Sequence, residues 1–140
     1  MIVQYQQAHR QQVTGTTIQV NVNTGNPGIV IPPRFDGLGF EPSDACDIVS
    51  VGKQNSALSN LFANLGPAIL RFGGNSVEDT YWSPTGTPSC SYTHTVVAPS
   101  LINDVFALAK KLHWKVIWGE NLKNGDPTSD ADEAVNAVTA

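Results

Sequence analysis

Cysteine is scarce: Cys46 and Cys90 are the only two among 140 residues. Two thiols exclude a thiolate-cluster metal site. Both fall in loops expected at the same end of neighbouring strands, which leaves one disulfide and two free thiols both open. Charge is also sparse, at 14% of residues, with 8 Lys and Arg against 12 Asp and Glu and a formal net charge of −4. No basic cluster exceeds the pair Lys110-Lys111, so the electrostatic footprint for nucleic acid is missing and anionic membranes hold no attraction. Long apolar runs are absent too. None approaches the ~20 residues of a membrane span, and Met1 to Gln12 is too polar for a signal peptide. No Asn-x-Ser/Thr sequon, internal repeat or low-complexity segment occurs.

What is present is 41% hydrophobic residues with 12 glycines and 9 prolines, the composition of a globular chain with long polar loops. Residues 1–16 read as a tail. Ile18, Val20 and Val22 alternate with Gln19, Asn21 and Asn23, and Ile29 to Ile31 follows a turn cluster; the pattern predicts a β-hairpin over 17–33. From residue 34 the rhythm changes. Phe35 to Glu41 reads as a buried strand. Leu58, Leu61, Phe62 and Leu65 at helical spacing predict a helix from Gln54 to Leu65, stopped by Gly66-Pro67. Ala68 to Phe72 is a second strand and Gly73 to Pro99 a long loop. A second helix is expected from a Ser100 cap, turning Leu101, Ile102, Val105, Phe106, Ala109 and Leu112 inward, with Lys110 and Lys111 in its last turn. Lys115 to Gly119 is a third strand. Ser129 with Asp132 reads as a capping box for a third helix whose apolar row is Ala131, Ala134, Val135 and Val138.

The order β-α-β-α-β-α implies parallel strands. Their carboxyl ends present Glu41, then Gly73-Gly74-Asn75-Ser76 with Glu78 and Asp79, then Glu120-Asn121. In α/β barrels active sites form at that end. Carboxylates and amides near Tyr81, Trp82, Tyr92 and Trp118 suit a sugar, whose hydroxyls take hydrogen bonds and whose ring face stacks on aromatics; the plain alternative is solvated loop residues. Other chemistries fit less well. Gly74-Asn75-Ser76-Val77-Glu78 falls one glycine short of a nucleophile elbow and no His-Asp pair follows. His9, His94 and His113 lie on a tail, a loop and a helix end, which does not make a metal site. Gly37-Leu38-Gly39 matches neither dinucleotide nor phosphate-loop spacing.

The run Leu70-Arg71-Phe72-Gly73-Gly74-Asn75-Ser76, with Phe40-Glu41 before it and Trp118-Gly119-Glu120-Asn121 after, resembles the N-terminal part of glycoside hydrolase family 79, the β-glucuronidase and heparanase-like enzymes. The resemblance spans most of the chain from Thr17 onward. It implies a (β/α)₈ barrel, of which the chain holds three βα units, with the opening hairpin belonging to an accessory β-sandwich. It implies a retaining, cofactor-free mechanism on β-glucuronides or related β-linked sugars, using two carboxyls ~5–5.5 Å apart. The family's acid/base follows an Asn after the fourth strand and its nucleophile comes later, so no catalytic residue is expected here; Glu120-Asn121 has the reverse order on the third strand. Substrate contact is what carries over, to Glu41, Gly74, Asn75, Ser76 and, more weakly, Asn121.

A barrel takes ~250 residues, so the expectation is a truncated, inactive front portion. It would need the C-terminal half of the barrel and the β-sandwich as partners. The parent enzyme is expected to be secreted, although this stretch carries no export address. The rival expectation is a freestanding, non-catalytic α/β carbohydrate-binding or structural domain.

Overall fold

The structure is a computed structural model, and it describes residues 19–22, 24–25, 28–54 and 56–140. The chain divides into two units, Met1–Val30 and Ile31–Ala140. The tail expected over 1–16, His9, and Thr17, Ile18 and Asn23 of the expected hairpin lie outside the described residues. The described residues from Gln19 to Pro33 form no strand, and Val20, Val22, Ile29, Val30 and Ile31 are exposed. Alternation marks which side chains share a face, but a strand also needs a neighbour to pair with and a surface to bury that face.

The second unit is mixed α/β. Its strands and helices run β1 (Gly37–Phe40), α1 (Ala45–Gln54), α2 (Ser56–Ala63), β2 (Ile69–Phe72), β3 (Thr80–Trp82), β4 (Thr95–Val97), α3 (Pro99–Lys111), β5 (Lys115–Trp118) and α4 (Pro127–Thr139). β1, β2 and β5 form a parallel sheet in that order, with Phe40, Phe72 and Trp118 in register across it. β3 and β4 make a separate parallel pair inside the stretch expected to be a plain loop.

The sheet is covered on one face. Leu38, Phe40, Leu70, Phe72, Val116 and Trp118 point toward the helices, where Ala45, Val49, Phe62, Leu101, Val105, Leu108 and Leu112 complete the core. Phe72 is fully buried, with ring centroids 6.0 Å from Phe40 and 5.6 Å from Trp118, so one aromatic row ties the three strands together near their carboxyl ends. The alternate positions Gly37, Gly39, Arg71, Lys115 and Ile117 form the other face and are exposed.

Several helical expectations need correction. The first crossover holds two helices, because Ala45, Ile48, Val49 and Gly52 already have i, i+3, i+4, i+7 spacing; Gly52 lets α1 approach Leu108, which a methyl group there would meet at 2.9 Å. α3 starts at Pro99 with Ala98 as its N-cap, so Ser100 lies inside the first turn. In α4 the cap is Asp126, whose carboxylate accepts the Ser129 amide and hydroxyl. The phase differs with it: Glu133 and Ala137 are buried, while Val135 and Val138 are exposed. Leu61 of α2 is likewise exposed although Phe62 is buried, and Leu65, expected to end the helix, lies beyond Ala63 and is exposed too.

Candidate functional site

Parallel register brings the ends of β1, β2 and β5 to one edge of the sheet. Glu41 follows β1 directly and caps the short 3₁₀ turn Pro42–Asp44, exchanging bonds with Asp44 in a capping box. Its carboxylate then crosses to the end of β2. One oxygen accepts the Asn75 amide at 3.1 Å, and the other accepts the Ser76 amide and hydroxyl, both at 2.8 Å. These bonds, led by the Ser76 amide, hold the Glu41 carboxyl below its ordinary range, and Arg71 adds a smaller effect of the same sign.

Gly74 makes this crossing possible. Its φ of 135° lies outside the range L side chains adopt readily, and a Cβ there would collide with the Glu41 carboxylate. Gly74 and Asn75 remain exposed at the edge, whereas Ser76 is fully buried with its hydroxyl donated to Glu41. Ser76 therefore does not present a free nucleophile.

Asn121, after β5, is 3% exposed. Its amide N–H groups donate to the Glu78 and Thr80 carbonyls, and its side-chain oxygen accepts the Lys123 and Asn124 amides. The side chain binds the loop after β5 to the 3₁₀ turn after β2, and Lys123 pairs with Glu78 over the same junction. Of the five candidate contact residues, Gly74 and Asn75 face outward, Glu41 is partly exposed with its carboxylate engaged by the end of β2, and Ser76 and Asn121 use their polar groups inside the fold.

Comparison with known proteins adds no identity. No protein-family model and no curated protein matches the chain. The chemistry of the edge thus rests on its own geometry. Among the described residues no group of three His, Cys, Asp or Glu side chains is placed to hold a metal ion, and no helix is long and apolar enough to cross a membrane. His94 stacks on Tyr81 with ring centroids 4.4 Å apart, and His113 sits at φ 58° just past α3. Cys46 and Cys90 form a disulfide, which ties the start of α1 to the loop before β4.

A second carboxyl pair was not legible as such. Glu120 follows β5 and meets Glu133 of α4, whose carboxylate accepts the Trp118 indole N–H at 2.7 Å. Burial, then Glu133 and Asp130, push Glu120 up to about 7, and burial raises Glu133 as well. Glu133 is 2% exposed and is held against Trp118 on the sheet's covered face. The signal available in the sequence was the four-residue spacing of Glu133 and Ala137 on one helix face, but an acid in such a row reads as solvated.

Proposed function

We propose that this chain forms the first βα units of a retaining glycoside hydrolase barrel acting on β-glucuronides or related β-linked sugars. In this reading it contributes one wall of the substrate pocket. The observation that carries it is the one-sided parallel sheet. Sheets of this kind are normally covered on both faces, and in a barrel the helix-free face turns inward while the carboxyl ends form the mouth. Here the helix-free face carries Arg71, and the mouth would carry Glu41, Gly74 and Asn75. The Gly74 backbone and the Asn75 side chain are the groups left open to a sugar; Glu41 and Ser76 set their position, and Asn121 braces the loop beside them.

Catalysis in this reading belongs to two carboxyls supplied by later strands. Glu41 is engaged by amides, and Glu133 is buried against Trp118 on the covered side of the sheet, with Glu120 beside it. The 140-residue chain is therefore expected to release no chromophore from an aryl β-glucuronide. Hydrolysis above the buffer rate by the purified chain would overturn this division of labour.

A freestanding, non-catalytic α/β domain is the second reading, favoured by the contiguous core of the 31–140 unit and its disulfide. A single cooperative melt followed by near-UV circular dichroism, with no self-association, is the result that reading requires. A weakened near-UV signal with concentration-dependent self-association favours the barrel reading, because among the described residues no strand pairs with the outer edges of β1 and β5.

A further inference from the structure

The most deeply buried residue of α4 is an acid. Glu133 is 2% exposed, whereas Val135 and Val138 on the same helix are 58% and 84% exposed. Two indoles fasten this part of the helix. Trp118 of β5 donates to Glu133, and Trp82 of β3 donates to Asp132 at 2.6 Å. Apolar contact comes through Ala137, which joins Val97 and Ile102 in a small buried cluster with Trp82, Phe106 and Trp118 packed against it.

Glu120 meets Glu133 from the end of β5, and its Oε2 is buried without a hydrogen-bond partner. The charged groups acting on these two carboxyls are all acids, namely Asp130 in the first turn of α4 and each carboxyl on the other. The groove alongside, about 460 Å³, is lined by Glu120 itself, by Phe106 of α3, by Val116 and Trp118 of β5, and by Ala134, Ala137, Val138 and Ala140 at and after α4, with no basic side chain among them. Two adjacent, desolvated carboxylates without a counter-cation repel one another. One proton between them replaces that repulsion with a charge-assisted O–H···O bond.

We propose that α4 is latched to the sheet by a proton held between the carboxyls of Glu120 and Glu133, and that loss of this proton to solvent releases the helix. With the proton present, Glu120 donates to Glu133, which keeps its bond from Trp118. With the proton gone, the Trp118 bond has to oppose repulsion among Glu120, Glu133 and Asp130. Release uncovers Trp118, Phe106 and Val116, so the latch couples exposure of the groove to pH in the neutral range.

Amide hydrogen exchange of the full chain tests this, read at about pH 5.5 and about pH 8.5 and corrected for intrinsic rates. The α4 amides are expected to lose about tenfold or more in protection at the higher pH while the α3 amides hold theirs. Glu120→Gln keeps a donor without a titrating proton, so α4 stays protected at both pH values. Asp130→Asn, on the solvent side of the pair, shifts the wild-type transition to lower pH by removing a like charge. Equal α4 protection at both pH values overturns the proposal. So does a transition that persists in Glu120→Gln. Should Glu120→Gln fail to fold by far-UV circular dichroism, the Asp130→Asn shift decides, and an unmoved midpoint counts against the latch.

Discussion

At Glu41 a carboxylate that reads as a substrate ligand is also a staple between two strand ends, and the glycine beside it is what lets the staple close. Gly74→Ala places a methyl group into the Glu41 carboxylate at a φ of 135°; it is expected to cost about 2–4 kcal/mol in urea unfolding. Gly73→Ala meets only the tip of the exposed Arg71 side chain, at 2.7 Å, and is expected to cost less than about 1 kcal/mol because that side chain swings aside. Equal losses for the two variants would contradict the staple. The acids also set opposite pH dependences. Glu41 is held below its ordinary value of 4.5, so its contribution is present above that value and is lost as pH falls through the lower folded one. Glu120 is raised from 4.5 to about 7, so the stability of its protonated form is complete below 4.5 and gone above about 7. Thermal midpoints are therefore expected to peak in mildly acidic solution; a steady rise from acid through neutral pH would contradict the Glu120 assignment, and no loss of stability below pH 4.5 would contradict that of Glu41.

Among the elements, the strands of the three-stranded sheet were the most legible, because Leu70 and Phe72 or Val116 and Trp118 show the two-residue period directly and glycine or proline bounds each run; β3 and β4, three residues each, were not. Helix limits were less so. Ser100 and Ser129 look like caps by residue type, but Pro99 and Pro127 both occupy first-turn positions, which moves the caps to Ala98 and Asp126. Helix α1 was hidden by the β-branched Val49 and Val51 and by Gly52, whose missing side chain is what admits Leu108. The candidate site was legible as a location, since strand ends coincide with Glu41, Gly74-Asn75 and Asn121. The inward commitment of Ser76 and Asn121 was not, because hydrogen bonding between residues over thirty apart leaves no periodic trace. The disulfide was one of two open alternatives. It spans a sequence separation of 44, and the chain-entropy relation gives a closed loop of that size about 4 kcal/mol. Replacing both cysteines by serine is expected to lower the unfolding midpoint accordingly, and an unchanged midpoint would show that the loop before β4 is held by other contacts.

For the molecule as a whole, the imbalance between the two sheet faces matters most. Aromatic and aliphatic side chains fill one face against α1, α2 and α3, while Arg71, Lys115 and Ile117 meet water on the other. A barrel wall accounts for that asymmetry together with the gathering of polar groups at the carboxyl edge. A self-sufficient domain accounts for the core and the disulfide and leaves the bare face unexplained. The measurement that tests the sugar pocket most directly is amide chemical-shift mapping of the chain with methyl β-glucuronide up to about 10 mM, the range of weak sugar binding. Saturable shifts at Gly74, Asn75 and Ser76, abolished by Asn75→Ala, are the predicted result. Amides at this edge that stay unmoved, or shifts that persist unchanged in Asn75→Ala, would contradict a sugar pocket built on the end of β2.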